Sequence, residues 1–361
     1  MKQAMKTSFA AALFACCAPA FAQSSVTIYG IVDTAVAYID NTSRAGFTIK
    51  KLTSNGSTPS RIGFRGTEDL GGGYRANFVL ETGFAPDTGT LSQGGRSFGR
   101  QSTVGLETPY GEVMFGRMYT FRYALYGSDY MGDNLFGVGS IDPYIPNDRA
   151  DNSIGYRFTY GKFNYRAVYS LGRDAAATGG PAATNCPGEL AGDHKACTQL
   201  SMLGTYDGDG WGVAAAYDKL RGGPGIRFED LNASKYYDLR TTLNGYVNVF
   251  NGRIGIGWIG RKHESATPYR QSISWVSLTQ ELAPLIHLDA TLYRVNRRHS
   301  NDDAWFPVAR LRYLLSARTN LYATAGYMDN QGSSALSVDG QSPSVAGTKQ
   351  LGIALGIRHN F

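Results

Sequence analysis

Past residue 22 the chain contains no run of about 18 consecutive apolar residues, so a membrane-spanning helix is excluded on length. Cysteine is scarce: of four, Cys16 and Cys17 fall in the first 22 residues, leaving Cys186 and Cys197. Charge of one sign is also lacking. Lys2 and Lys6 belong to the opening segment, and the remaining basic residues exceed the 29 acidic ones by about 4. They are scattered, with none of the clustered basic stripe that nucleic-acid binding requires. The five histidines (His194, His263, His287, His299 and His359) form no H-E-x-x-H, and no G-x-S-x-G elbow occurs. His194 between two cysteines in C-x10-C matches no zinc spacing. Gly71-Gly72-Gly73 separates two strand-like segments and precedes no helix, so it is a turn and not a phosphate loop. Nothing points to a catalytic site, a metal, a cofactor or a nucleic acid.

What is present is glycine (45), tyrosine (23) and phenylalanine (17) in 361 residues. Glycine at that density works against long helices. Residues 1–22 read as a cleavable secretory signal: Lys2 and Lys6 in a basic start, Thr7 to Cys17 as a short apolar core, and Ala20-Phe21-Ala22 as the cleavage site. A lipoprotein site at Cys16 competes, but Phe14 suits it poorly and a complete small-residue site follows. The rest, 23–361, shows no linker or composition shift and reads as one unit. In an exported chain, Cys186 and Cys197 point to one disulfide closing a surface loop.

The organising pattern is period-two alternation. Leu351, Ile353, Leu355, Ile357 and Phe361 share one face, opposed by Gln350, Gly352, Ala354, Gly356, Arg358 and Asn360. Tyr74, Ala76, Phe78 and Leu80 oppose Arg75, Asn77, Val79 and Glu81, and Ile62 and Phe64 oppose Arg61, Gly63 and Arg65. About sixteen such segments run from 26–38 and 58–67 through 152–160 and 271–281 to 349–361. Their connections alternate in length. Long ones at 39–57, 85–97, 120–151, 172–198, 219–237, 263–270, 297–303 and 330–348 interleave with turns such as 108–110, 161–162 and 251–252. That layout predicts an all-β fold: a 16-stranded antiparallel transmembrane β-barrel with long extracellular loops and short periplasmic turns. An even strand number lets the first strand meet the last, removing the sheet edges that hydrocarbon forbids. Tyr38, Tyr110, Tyr119, Trp211 and Tyr293 fall near strand ends and suit interfacial girdles.

Four blocks then match one family: Ser24-Ser25-Val26-Thr27-Ile28-Tyr29-Gly30, Ser60 to Gly71, Gly105-Leu106 to Phe115-Gly116-Arg117, and Gly356-Ile357-Arg358-His359-Asn360-Phe361. In this order they resemble the trimeric general porins of β-proteobacteria. The resemblance implies a homotrimer in the outer membrane, in contact with outer-membrane lipid and lipopolysaccharide and assembled by the insertion machinery. It implies a third extracellular loop folded into the pore as a constriction, here 120–151, which carries Asp129, Asp133, Asp142, Asp148 and Asp151 against Arg122 and Arg149. It also implies constriction residues at Arg61, Arg100 and Arg149, a wall carboxylate at Glu81, and Asp129 as the loop acid. Where relatives place a basic residue after Asn152-Ser153-Ile154, Gly155 stands here, and Arg157 on the same face is the candidate substitute. Arg117 is a further candidate. The terminal Phe361 resembles the signal by which outer-membrane proteins are recognised for insertion, and also suits an interface anchor.

The expected function is a porin: a water-filled channel for passive diffusion of ions and small hydrophilic solutes, modestly favouring anions. Guanidinium groups facing carboxylates across a narrow aqueous gap set up a transverse field that low-dielectric walls concentrate. A substrate-selective channel shares the architecture and would show saturable transport. A barrel adhesin or hydrolase would show binding without conductance, or need a Ser/His pair.

Overall fold

The computed structural model describes residues 25–121, 127–132, 134–174, 185–226 and 228–361; the expected signal segment 1–22 lies outside them, as do Arg122 and Asp133. In β1 (Ser25–Ile39) the alternation becomes an inside and an outside: Asp33, Ala35, Ala37 and Ile39 are buried, while Val26, Ile28, Val32 and Val36 are exposed. Charged residues are in and aliphatic residues out. Arg240 is 0% exposed while Leu243 and Ile256 are each 63% exposed, the reverse of a protein folded in water and the sense required in lipid.

The following strands are β2 (two arms, Ile49–Ser54 and Arg61–Gly71), β3 (Tyr74–Ala85), β4 (Gln101–Thr108), β5 (Gly111–Tyr119), β6 (Arg149–Tyr160), β7 (Phe163–Ser170) and β8 (Gln199–Asp207). Then come β9 (Trp211–Arg221), β10 (Tyr237–Val249), β11 (Gly252–Glu264), β12 (Tyr269–Ala283), β13 (Ile286–Arg297), β14 (Ala304–Leu314), β15 (Thr319–Asn330) and β16 (Lys349–Asn360). Each pairs antiparallel with its neighbours, and β1 closes on β16 from Ile31↔Asn360 to Ile39↔Gly352. Phe361 continues that seam: its N–H donates to the Gly30 carbonyl and its carbonyl accepts from the Gly30 N–H, each at 3.0 Å. The chain is thus a closed 16-stranded barrel.

The connections differ from the sequence reading in three places. The expected long connection 39–57 is interrupted, because Ile49-Lys50-Lys51-Leu52 alternates and pairs with β1 (Ile39↔Ile49 to Thr34↔Ser54). The two arms of β2 are separated by residues 55–60, which fold over Asp33. Ser57 N and Thr58 N donate to its carboxylate at 3.1 and 3.2 Å, and Tyr322 OH donates at 2.7 Å. The expected long connection 263–270 shrinks to 265–268, since β11 and β12 stay paired out to His263↔Tyr269. The third loop ends at 148, because Arg149 already pairs with Tyr119 across β5 and β6.

This third loop turns inward and carries its own apolar core. Met131, Phe136, Val138, Ile141, Tyr144 and Ile145 are all buried, with a short helix at Val138–Ile141. They pack in one cluster with Ile259, Ile273, Trp275, Tyr293, Phe306 and Val308 from the inner wall. Tyr293 is therefore buried inside the barrel and not at a girdle, and Tyr119, 8% exposed, is also inside, whereas Tyr110 and Trp211 remain outward and exposed.

Candidate pore constriction

Residues opposite one another in an antiparallel pair share a face. Gly63 faces both Tyr29 and Glu81, and Arg61 faces Gly83, so Tyr29, Arg61 and Glu81 share the inner wall of β1 to β3. Glu81 is buried and fully engaged. Tyr29 OH donates to its Oε2 at 3.0 Å, Arg100 Nε donates to Oε1 at 2.7 Å, and Tyr119 OH donates to Oε1 at 3.3 Å. The Tyr119 oxygen in turn accepts from Arg100 at 2.5 Å and from Arg149 at 3.1 Å. The Arg149 guanidinium lies 4.4 Å from the centre of the Tyr119 ring, a cation–π placement, and donates to the Pro146 carbonyl at 2.8 Å. Glu81, Arg100 and Arg149 thus form one buried, charge-assisted network. Arg61 is half-buried beside it, within electrostatic reach of Glu81 and Arg100.

Three more arginines complete this wall, none of them singled out as a constriction residue by the sequence pattern. Arg358 pairs with Asp33 across the closing seam and lies within electrostatic reach of Arg61, Arg310 and Arg312. Arg310 and Arg312 share one carboxylate, Asp289, at 2.8 and 2.7 Å. Arg310 also donates to Ser57 Oγ at 3.0 Å and to the Tyr130 carbonyl at 3.1 Å, joining the β14 wall, the break in β2 and the third loop. A signal exists in the alternation, since Arg310, Arg312 and Arg358 each occupy the polar face of their strand. What a linear pattern lacks is the closure that brings residue 61 beside residue 358.

The remaining candidates are placed elsewhere. Asp129 sits where the loop meets the wall: it accepts from Tyr293 OH at 2.7 and 2.9 Å, and caps the N–H groups of Met131 and Gly132 at 3.1 Å. Next to it the Ser128 carbonyl accepts from Trp275 Nε1 at 3.0 Å and from Ser277 Oγ. Farther along the loop Asp142 accepts from Arg240 at 2.8 and 3.0 Å. Burial alone would raise its pKa, but the Arg240 and Arg261 guanidinium groups outweigh that and hold the carboxyl below the usual aspartate range. Arg157 pairs with Glu112 toward the short-turn end of the lumen, where Asn77 also donates to Glu112 at 3.2 Å. Arg117 lies opposite Ser102, in register with the lipid-facing pair Val104↔Phe115. It donates to the Gly99 carbonyl at 2.7 Å and to Asp151 at 2.6 Å; Arg96 binds Asp151 and Asp174, so this cluster ties the second and fourth connections to β5. Cys186 and Cys197 form the disulfide in the fourth connection.

Glu229, Asp238 and His263 are the group of metal-ligating types found close together among the described residues. Arg261 occupies their centre, donating to both carboxylates, and His263 Nδ1 lies 2.9 Å from Asp238. With a guanidinium already neutralising the acids, a metal cation would meet repulsion there.

A closed barrel with lipid outside, charge inside and an inward-folded loop defines a water-filled transmembrane channel. The sequence profile of the Gram-negative porin family matches residues 8–333, and the chain belongs to that family. It is similar to outer membrane porin protein 32 of Delftia acidovorans (28% identity, 99% of each chain covered) and to an outer membrane porin protein of Bordetella pertussis (29% identity, 99% of this chain and 100% of the other). Its structure resembles the anion-selective porin from Comamonas acidovorans, with a TM-score of 0.76 and 25% identity over 94% of this chain and 100% of that one. In fold alone it resembles OmpT of Vibrio cholerae, with a TM-score of 0.67 and 16% identity over 94% of this chain and 98% of that one. The protein is an outer-membrane channel for small solutes and not an enzyme.

Proposed function

We propose that the channel is a general diffusion pore with a modest preference for anions, set where the arginine wall of Arg61, Arg310, Arg312 and Arg358 faces the third loop. The observation that carries this is the charge balance. The four guanidinium groups of the wall stand against two carboxylates: Asp289, which serves Arg310 and Arg312 at once, and Asp33, which faces Arg358 across the seam. Positive charge is therefore in excess at the waist. The solved relative named an anion-selective porin supports the same sign. In water, one unpaired guanidinium about 6 Å from a passing anion contributes roughly 0.7 kcal/mol, about a threefold bias per charge, which is why the preference is modest.

On this reading Glu81, Arg100 and Arg149 shape the wall, Asp129 holds the loop against it, and the loop over 120–148 is the constriction. Residues 1–22 direct export, and 23–361 form the mature barrel. A homotrimer, contact with outer-membrane lipid and lipopolysaccharide, and use of Phe361 by the insertion machinery complete the proposal.

The test is a planar bilayer under a salt gradient. Wild type is expected to show large steps and an anion-selective reversal potential, and Arg61→Ala to lower the anion-to-cation permeability ratio about two- to threefold while keeping the conductance high. A ratio unmoved by Arg61→Ala and by Arg358→Ala would remove the arginine wall as the source of selectivity.

A further inference from the structure

The outward surface of the barrel is not the same at its two ends. At the short-turn end it is aromatic: Tyr110, Tyr160 and Phe250 are exposed, with Tyr206 and Trp211 beside them, and Lys162 is paired with Asp209 at 2.5 Å. At the long-loop end of β11 to β13 it is cationic. Lys262 lies directly across from Arg270, and the Arg298 N–H donates to the Arg270 carbonyl at 3.0 Å. Three cations therefore stand side by side on β11, on β12 and just past the end of β13, spanning about 10 Å at the usual strand spacing. A single carboxylate, Glu264, serves two of them, at 3.0 Å from Lys262 and 3.3 Å from Arg270. Lys219, on β9, extends the row, its ammonium 4.2 Å from the Tyr237 ring, whose hydroxyl receives a hydrogen bond from Lys262 at 2.8 Å.

Directly below this row, on the same outward face, is a groove of about 480 Å³ floored by Trp258, Gly260, Thr241 and Ser272. Gly260 is required there: a Cβ would stand 2.3 Å from the Trp258 ring, which folds back over the strand. Below the groove the surface becomes the apolar band of Leu243, Ile256 and Val276. Cations above, an indole-lined hollow between and aliphatic side chains beneath follow the order of phosphate, glycerol or sugar, and acyl chain in a membrane lipid.

We propose that this groove binds the phosphorylated headgroup of an anionic lipid in the leaflet surrounding the long loops, an inference that rests on the lipid contact proposed above and gives it a site. Lys262, Arg270 and Arg298 hold phosphate oxygens, and Trp258 and the band below pack against the first part of the acyl chains. Arginine suits such a site because its planar fork meets phosphate with two parallel hydrogen bonds. Continuity with the lipid-facing band favours a lipid over a dissolved anion, which has no use for the apolar floor.

The experiment uses the full mature protein, extracted in detergent and returned to phosphatidylcholine vesicles with or without lipopolysaccharide as the phosphorylated lipid. Lipid retained after repurification is counted by native mass spectrometry, and conductance and reversal potential are recorded on the same samples. The charge-reversed K262E/R270E/R298E chain is expected to retain at least tenfold less lipopolysaccharide, and K262Q/R270Q/R298Q an intermediate amount. Conductance and selectivity are expected to stay at wild-type values, because none of the three side chains faces the lumen. Equal retention by a folded reversed variant overturns the proposal. So does displacement of the lipid by millimolar inorganic phosphate, which would mark a free-anion site, or loss of oligomer with unchanged retention, which would mark a subunit contact. Should the reversed chain fail to fold, the neutral variant decides by the same readouts, and altered selectivity in either would point back to the pore.

Discussion

Arg61 and Arg100 look alike in the sequence, each an arginine close to a strand start, yet their surroundings assign them different duties. Arg100 is 0% exposed and is bonded to Glu81 and Tyr119. Truncating it leaves the buried Glu81 carboxylate with two tyrosine hydroxyls as its hydrogen-bond donors and only the half-exposed Arg61 as a nearby cation, and losing one partner of a buried pair costs about 3–5 kcal/mol. Arg100→Ala is therefore expected to lower the unfolding temperature sharply in a gel-shift or circular dichroism melt. Arg61→Ala, which removes a half-exposed cation, should shift the melt little and the reversal potential clearly. The same residue scale shows where linear reading stops. Its place in a matching block marks Arg117 as a pore residue, but register puts it opposite Ser102 and beside Asp151 on the other face. A single break in pairing between Gly116 and Met118 is enough to disturb inside and outside there, because faces alternate residue by residue.

Among the elements, the third loop lies inside the barrel, and its position follows from the wall that receives it. Near the long-loop ends of β12 and β14 the inner face is apolar as well as the outer, as in Ile273-Ser274-Trp275-Val276 and Trp305-Phe306-Pro307-Val308. A lumen in contact with water would show polar residues at Ile273, Trp275, Phe306 and Val308, so the loss of alternation marks the strip that the loop covers. That signal is legible in the sequence, but it looks like ordinary hydrophobic strand until the loop is seen lying on it. Gly255 faces the same strip, where a Cβ would stand 2.2 Å from the Ser128 carbonyl oxygen, a backbone atom with no freedom to swing aside. Gly255→Ala is expected to push the loop off the wall, seen as noisier open-channel current with wild-type barrel stability. Acid acts on the loop through Asp142. Its folded pKa is depressed, so its pairing with Arg240 contributes in full above the ordinary aspartate value of 3.8 and is lost only as pH falls through the lower folded value. Single-channel noise should accordingly remain flat down to that value and rise below it, and Asp142→Asn should be noisy at neutral pH.

For the whole molecule, closure is the controlling event. β1 must find β16 across more than three hundred residues of chain, and the seam ends on the reciprocal backbone hydrogen bonds of Gly30 and Phe361. Removing Phe361 deletes both bonds and exposes the last pair of strand groups to hydrocarbon, where an unsatisfied backbone group is costly. The truncated chain is expected to fold more slowly than wild type into pure lipid vesicles, followed by the loss of its unfolded gel band. Unchanged spontaneous folding, with failure only in cells, would restrict Phe361 to a recognition role.

Strand number and the barrel itself were determined by the sequence alone, because the requirement that every strand show one face to lipid and one to water writes a period of two directly into the residues. The pairing of Cys186 with Cys197, eleven residues on, was also legible, since few partners exist in an exported chain. Tertiary structure alone decided which of many inward arginines share a carboxylate, as Arg310 and Arg312 share Asp289, and which stand beside one another, as Arg61 and Arg358 do. Charge partnership depends on distance through space, and in a closed barrel that distance is set by the shear of the strands and the path of one inward loop, neither of which leaves a period in the chain.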